Sequence, residues 1–103
     1  MSFFNPELEA KYRLLGFVSD GYGLKLKIGH VEIEAVEHPF NGVALFFSSI
    51  TPRTATQFEI ALPVVCTTEQ IAGAIYLNFA LNFREDSEGC RCHLQELKIP
   101  LFQ

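Results

Sequence analysis

No apolar run in this 103-residue sequence reaches the roughly 18 residues that a membrane-spanning helix needs. The most apolar stretch, Ile71 to Phe83, is interrupted by Asn78 and Asn82. The opening Met1-Ser2-Phe3-Phe4-Asn5-Pro6-Glu7 breaks after two Phe, too soon for the hydrophobic region of a signal peptide. The expectation is a cytoplasmic protein without membrane insertion. Basic residues are scarce, with eight Lys+Arg against twelve Asp+Glu and a net charge of −4. No basic cluster is present to neutralise phosphates and release counterions, so nucleic acid is not an expected partner. A basic protein partner is electrostatically permitted. Cysteine is few and odd in number, three in all, which does not make a closed disulfide framework.

Repeats, linkers and low-complexity segments are missing too, as are the marks of common chemistries. No serine sits in a G-x-S-x-G elbow, and Gly21-Tyr22-Gly23 lacks the rest of either phosphate-loop fingerprint. Glu32 and Glu34 share a face at a spacing a glycosidase could use, but neighbouring lysines account for them. Cys90-x-Cys92-His93, with Cys66, has two candidate zinc ligands pointing one way and His93 the other on a strand. Cys90 and Cys92 are too far apart there for an unstrained bridge, so three free thiols and no metal are expected.

What the chain does have is core material: 49% hydrophobic residues, ten of them Phe. A single domain over 1–103 is expected, burying roughly 60–70% of its unfolded surface. Asn5-Pro6-Glu7 reads as an N-cap, a first-turn proline and a dipole-favourable acid, opening a helix from Pro6 to about Leu14 that ends before Gly16. Leu24-Lys25-Leu26-Lys27-Ile28 and Val31-Glu32-Ile33-Glu34-Ala35 alternate strictly around Gly29-His30. A two-residue type II′ turn there pairs Leu24 with Ala35, Leu26 with Ile33 and Ile28 with Val31 on one face. Lys25 then faces Glu34 and Lys27 faces Glu32 on the other. Pro39-Phe40-Asn41-Gly42 signals a second turn before the central strand Val43–Phe47. Thr51–Ala55 is a loop, and Gln57–Leu62 alternates until Pro63 stops it.

The C-terminal third is ambiguous. Thr67 and Gln70 offer a capping box with Ile71, Ala74, Ile75 and Asn78 at helical spacing, whereas Ile75, Leu77, Phe79, Leu81 and Phe83 recur at period two. The alternation favours a strand from about Gly73 to Arg84, a turn at Asp86-Ser87-Glu88-Gly89 and a last strand from Cys92 to Leu101. The fold expected is mainly β, a six-stranded antiparallel barrel with a short N-terminal helix. The alternative is α+β, with a helix at about 68–82 packed on an antiparallel sheet.

From Leu24 to Leu45 the layout resembles the PilZ domain family, in which an R-x-x-x-R segment, two strands, a D-x-S-x-x-G loop and an apolar strand follow in order. Val36-Glu37-His38-Pro39-Phe40-Asn41-Gly42 has the loop's spacing, with Glu37 for the Asp, Pro39 for the Ser and Gly42 matching. Lys11-Tyr12-Arg13-Leu14-Leu15-Gly16-Phe17 occupies the arginine region. The resemblance implies a small β-barrel, a non-catalytic regulatory module with protein partners in motility or surface-polysaccharide control. It also implies a cyclic di-GMP site at Arg13, Glu37, Pro39 and Gly42. Phe17 stands where the second arginine belongs and Pro39 has no hydroxyl to donate, so weak or absent cyclic di-GMP binding is expected. The other function that size and charge suit is a small acidic inhibitor of the toxin-neutralising, immunity type.

Overall fold

The computed structural model describes residues 5–20, 23–38, 42–49 and 56–100. Helix α1 (Pro6–Leu14) starts as its sequence dictates. Asn5 Oδ1 accepts hydrogen bonds from the N–H groups of Glu7 at 3.0 Å and Leu8 at 3.2 Å, satisfying two of the helix's orphan donors. Leu8 and Tyr12, one turn apart, are its buried side chains.

Five strands follow: β1 (Val18–Asp20), β2 (Gly23–Ile28), β3 (Val31–His38), β4 (Gly42–Ser49) and β5 (Gln57–Leu62). They pair antiparallel in chain order, β1-β2-β3-β4-β5. The β2–β3 register is the one that both the apolar and the charged alternation select, Leu24 with Ala35 through Ile28 with Val31. Gly29 opens the turn with φ of 59°, the left-handed value that the first position of a type II′ turn requires. The 39–41 part of the second turn and the 51–55 loop lie outside the described residues.

Two helices complete the chain, α2 (Thr68–Asn82) and α3 (Arg84–Glu96). The strands expected at 73–84 and 92–101, and the turn at 86–89, are therefore corrected to helix, except that Phe83 joins the two helices, 97–100 lie beyond α3 and 101 lies outside the described residues. The described strands form an open sheet of five, not a closed barrel of six; the α+β alternative, with its helix at 68–82, is the architecture found. Local chemistry explains the outcome at α2. Thr67 Oγ1 accepts from the Gln70 N–H at 3.1 Å and Gln70 Oε1 accepts from the Thr67 N–H at 2.8 Å, a completed capping box. Of the five residues that alternate at period two, Ile75, Phe79 and Phe83 are buried at a spacing of four. Leu77 and Leu81 are 56% and 64% exposed.

All three helices contribute to one core against one face of the sheet. Leu24, Leu26, Ile28, Val31, Ile33, Ala35, Val43, Leu45 and Phe47 supply the sheet side. Phe47 stacks on Phe58 at 4.9 Å and meets Phe79 edge-on at 6.3 Å, while Phe83 stacks on Phe58 at 5.6 Å. Each such ring pair contributes about 0.5–1.5 kcal/mol beyond the area it buries. These rings seat α2 over β4 and β5. Helix α3 lies over β2, where Gly89 approaches Ile28 and Asp86 approaches Gly29. No helix among the described residues is long and apolar enough to cross a membrane.

Candidate functional site

With the helices on one face, no described element covers the other face of the sheet. Alternation sends Lys25, Lys27, Glu32, Glu34, Val36, Ala44, Phe46, Ser48, Gln57, Glu59 and Ala61 to that side. Across its middle run three residues in register: Glu34 on β3 opposite Phe46 on β4, and Phe46 opposite Glu59 on β5. Adjacent strands are about 4.8 Å apart, so the two carboxylates flank the ring at one strand's distance each. Phe46 is 37% exposed while its strand neighbours Leu45 and Phe47 are fully buried.

The lysine partners expected for the carboxylates distribute differently. Lys25 does face Glu34 in the register, but its Nζ lies 3.4 Å from Asp20 on β1 and 3.7 Å from Glu32, the diagonal neighbour. Asp20 first, and Glu32 after it, hold the Lys25 ammonium above its ordinary range. Among the described residues neither Glu34 nor Glu59 makes an ion pair. The row thus offers an aromatic face between two carboxylates, an arrangement suited to a guanidinium or ammonium on an apolar stem. Phe46 was hidden in a run that reads as apolar on both faces. The signal for its exposure is indirect: Ile33-Glu34-Ala35 and Phe58-Glu59-Ile60 send their acids outward, and Phe46 pairs with both.

Of the four residues that the PilZ resemblance marks, Glu37 and Gly42 are neighbours across the β3–β4 pairing and Arg13 lies apart from them. Arg13, near the end of α1, places Nε 2.7 Å from Glu9 Oε2 and donates from its other arm to Ser19 Oγ at 2.5 Å. Glu37 Oε1 accepts from the Asn5 N–H at 3.1 Å, at the opposite end of α1. About 12 Å of helix axis separates Asn5 from Arg13. Gly42 has φ of 86°, and a Cβ there would collide with the Leu62 carbonyl, so glycine is required to start β4. Pro39 lies outside the described residues.

The Cys90–His93 segment is helical, which turns Cys90 into the core and Cys92 to solvent. His93 Nε2 donates to the Leu15 carbonyl at 2.7 Å. Cys66, Cys90 and Cys92 are free thiols, and burial pushes the Cys90 thiol up to about 12. Among the described residues no three His, Cys, Asp or Glu side chains are grouped to hold a metal ion. A half-open cavity of about 310 Å³ lies between the β2–β3 turn and the α2–α3 junction, lined in part by His30, Asn82, Arg84, Glu85 and Asp86. His30 Nδ1 is 3.5 Å from Asp86 Oδ1 there. Its lining carries both signs of charge, Arg84 beside Glu85 and Asp86. Set against family models, curated proteins and solved structures, the chain matches none.

Proposed function

We propose that this chain is a non-catalytic binding module whose partner is a protein presenting arginine or lysine to the open sheet face. The observation that carries this is the Glu34–Phe46–Glu59 row. A long cationic side chain laid along it would place its charge over the ring and between two carboxylates that make no ion pair among the described residues. Contacts of this kind contribute about 0.5–2 kcal/mol for the cation–π component and more where water is displaced. The net charge of −4 steers a basic partner toward the module at low ionic strength. A small inhibitor of a basic enzyme, the immunity-type role, uses a surface of this character.

The PilZ-type regulatory role rests on the Glu37-to-Gly42 spacing and on the short helix before the sheet. In that reading too the working contact is with protein, since Arg13 and Glu37 are committed to opposite ends of α1 and cyclic di-GMP is held weakly or not at all. The test is affinity capture with the immobilised chain, wild type against Phe46→Ala and Glu34→Arg/Glu59→Arg. A basic protein that wild type retains, that moderate salt releases and that both variants lose supports the proposal. Retention by the charge-reversed variant at the wild-type level overturns it.

A further inference from the structure

The sheet has two edges, and they differ. Strand β1 is three residues long with Asp20 on it, a short and charged edge of the kind that discourages strand addition. Strand β5 is six residues long, carries one charge, and among the described residues pairs only with β4. The Ser49 N–H donates to the Thr56 carbonyl at 3.0 Å, which makes that opposed pair a hydrogen-bonded one. Alternation gives Phe47/Phe58, Leu45/Ile60 and Val43/Leu62 the same character. Gln57, Glu59 and Ala61 therefore aim their N–H and C=O groups away from β4, along the open edge.

Beneath that edge the apolar layer is incompletely covered. Phe58, Ile60 and Leu62 face the core but are only partly buried. Helix α2 lies over β4 and β5, and its flank carries Ala74, Leu77 and Leu81 with no charged side chain between them. The strand is about 20 Å long and the helix about 22 Å, and Leu81 lines the same cavity as Thr56, which sets the end of the apolar flank beside the start of β5.

We infer that β5 pairs antiparallel with β5 of a second copy, joining two five-stranded sheets and bringing the two α2 flanks together. The sequence of β5 is compatible with its own reverse in a register centred on Ile60. With Ile60 opposite Ile60 on the two-fold axis, Phe58 meets Leu62 on the core face and Glu59 meets Ala61 on the open face. The outward-aimed amides of Glu59 and Ala61 then exchange hydrogen bonds across the axis. A shift of two residues would set Glu59 against Glu59, a like-charge pair that disfavours that register. Pairing of this isologous kind closes at two copies. It does not rest on the partner proposed for the Glu34–Phe46–Glu59 row, and it would leave two such rows on one continuous face.

The test is sedimentation equilibrium of the full chain in reductant, across micromolar to millimolar concentration, with Ala61→Pro and Leu81→Glu alongside. Wild type is expected to reach twice the 11.6 kDa chain mass. Proline at 61 removes an edge N–H that β4 does not use, so the fold should survive by circular dichroism while the mass stays that of one chain. Leu81→Glu should weaken association about tenfold or more. In wild type the Glu59 amide should exchange more slowly as concentration rises. A wild-type chain that stays at single mass throughout overturns the inference. So does a folded Ala61→Pro variant that still doubles its mass.

Discussion

Asp86 rests against the bare α-carbon of Gly29: a Cβ built there would run into the Asp86 carboxylate. The β2–β3 turn and the first turn of α3 are thereby locked together, with His30 beside the same carboxylate at 3.5 Å. Gly29→Ala should cost about 1–3 kcal/mol in urea unfolding, from left-handed strain plus the collision. Adding Asp86→Ala should recover the collision part and leave the strain. Equal destabilisation with and without Asp86→Ala would show that the contact contributes nothing.

Helix α1 and strands β2 to β5 could be read from residues because local and global signals agree there, while the three-residue β1 carries no alternation and was not expected. Asn5-Pro6-Glu7 caps a helix whose end is close to Gly16, and the alternation of Leu24–Ile28 and Val31–Ala35 admits one register only. At Ile75–Phe83 they disagree. The same five apolar residues satisfy period two completely and period four by halves, and two exposed leucines are the residue of that conflict. What decided the matter was the Thr67–Gln70 capping box together with the ring cluster of Phe47, Phe58, Phe79 and Phe83, which draws residues from distant segments. Asp86-Ser87-Glu88-Gly89 has turn composition, yet Ser87 donates to the Arg84 carbonyl within a helix and Gly89 fits against Ile28. Tertiary packing overrode propensity there. The candidate site was less legible still. Glu34 and Glu59 are visible as outward acids, but the exposure of Phe46 depends on helices covering the opposite face.

Cyclic di-GMP should bind weakly or not at all. Capturing its two phosphates favours arginine forks. The single candidate, Arg13, is engaged by Glu9 and Ser19, and Glu37 lies at the other end of α1. Absence of one charged hydrogen bond of roughly 1.5–3 kcal/mol corresponds to an affinity about tenfold to a hundredfold lower. Calorimetric titration at moderate salt should give no resolvable heat at micromolar ligand. A submicromolar dissociation constant abolished by Arg13→Ala would restore the nucleotide site.

Lys98 holds φ of 60° where α3 ends. The Ile99 N–H donates to the Leu94 carbonyl at 3.1 Å and the Lys98 N–H to the Gln95 carbonyl at 2.9 Å, the paired bonds of a Schellman motif. Glycine usually occupies that left-handed position. Lys98→Gly should therefore stabilise the chain by roughly 0.5–1 kcal/mol, net of glycine's extra freedom when unfolded. Lys98→Ala, which keeps the Cβ, should gain nothing. A thermal midpoint that rises equally in both variants would point to the lost charge instead.

The buried thiols make stability fall at alkaline pH. Burial pushes Cys90 up to about 12, and burial likewise raises Cys66 and Tyr12 above their ordinary ranges. In the unfolded chain a thiol ionises at about 8.5. Between that value and 12 the unfolded chain has released the Cys90 proton and the folded chain still holds it, so rising pH favours unfolding. The contribution is fully present below about pH 8 and is lost at about 1.4 kcal/mol per pH unit for the Cys90 proton across the window. Urea midpoints should accordingly stay level near neutrality and drop from pH 9 upward, with Cys90→Ala starting lower but falling less steeply. In the native chain at pH 8, iodoacetamide should modify the exposed Cys92 first, and all three thiols only after unfolding. Modification of Cys90 at the rate of Cys92 in folded protein would mean that α3 opens locally, and the alkaline loss would then track that opening in place of global unfolding.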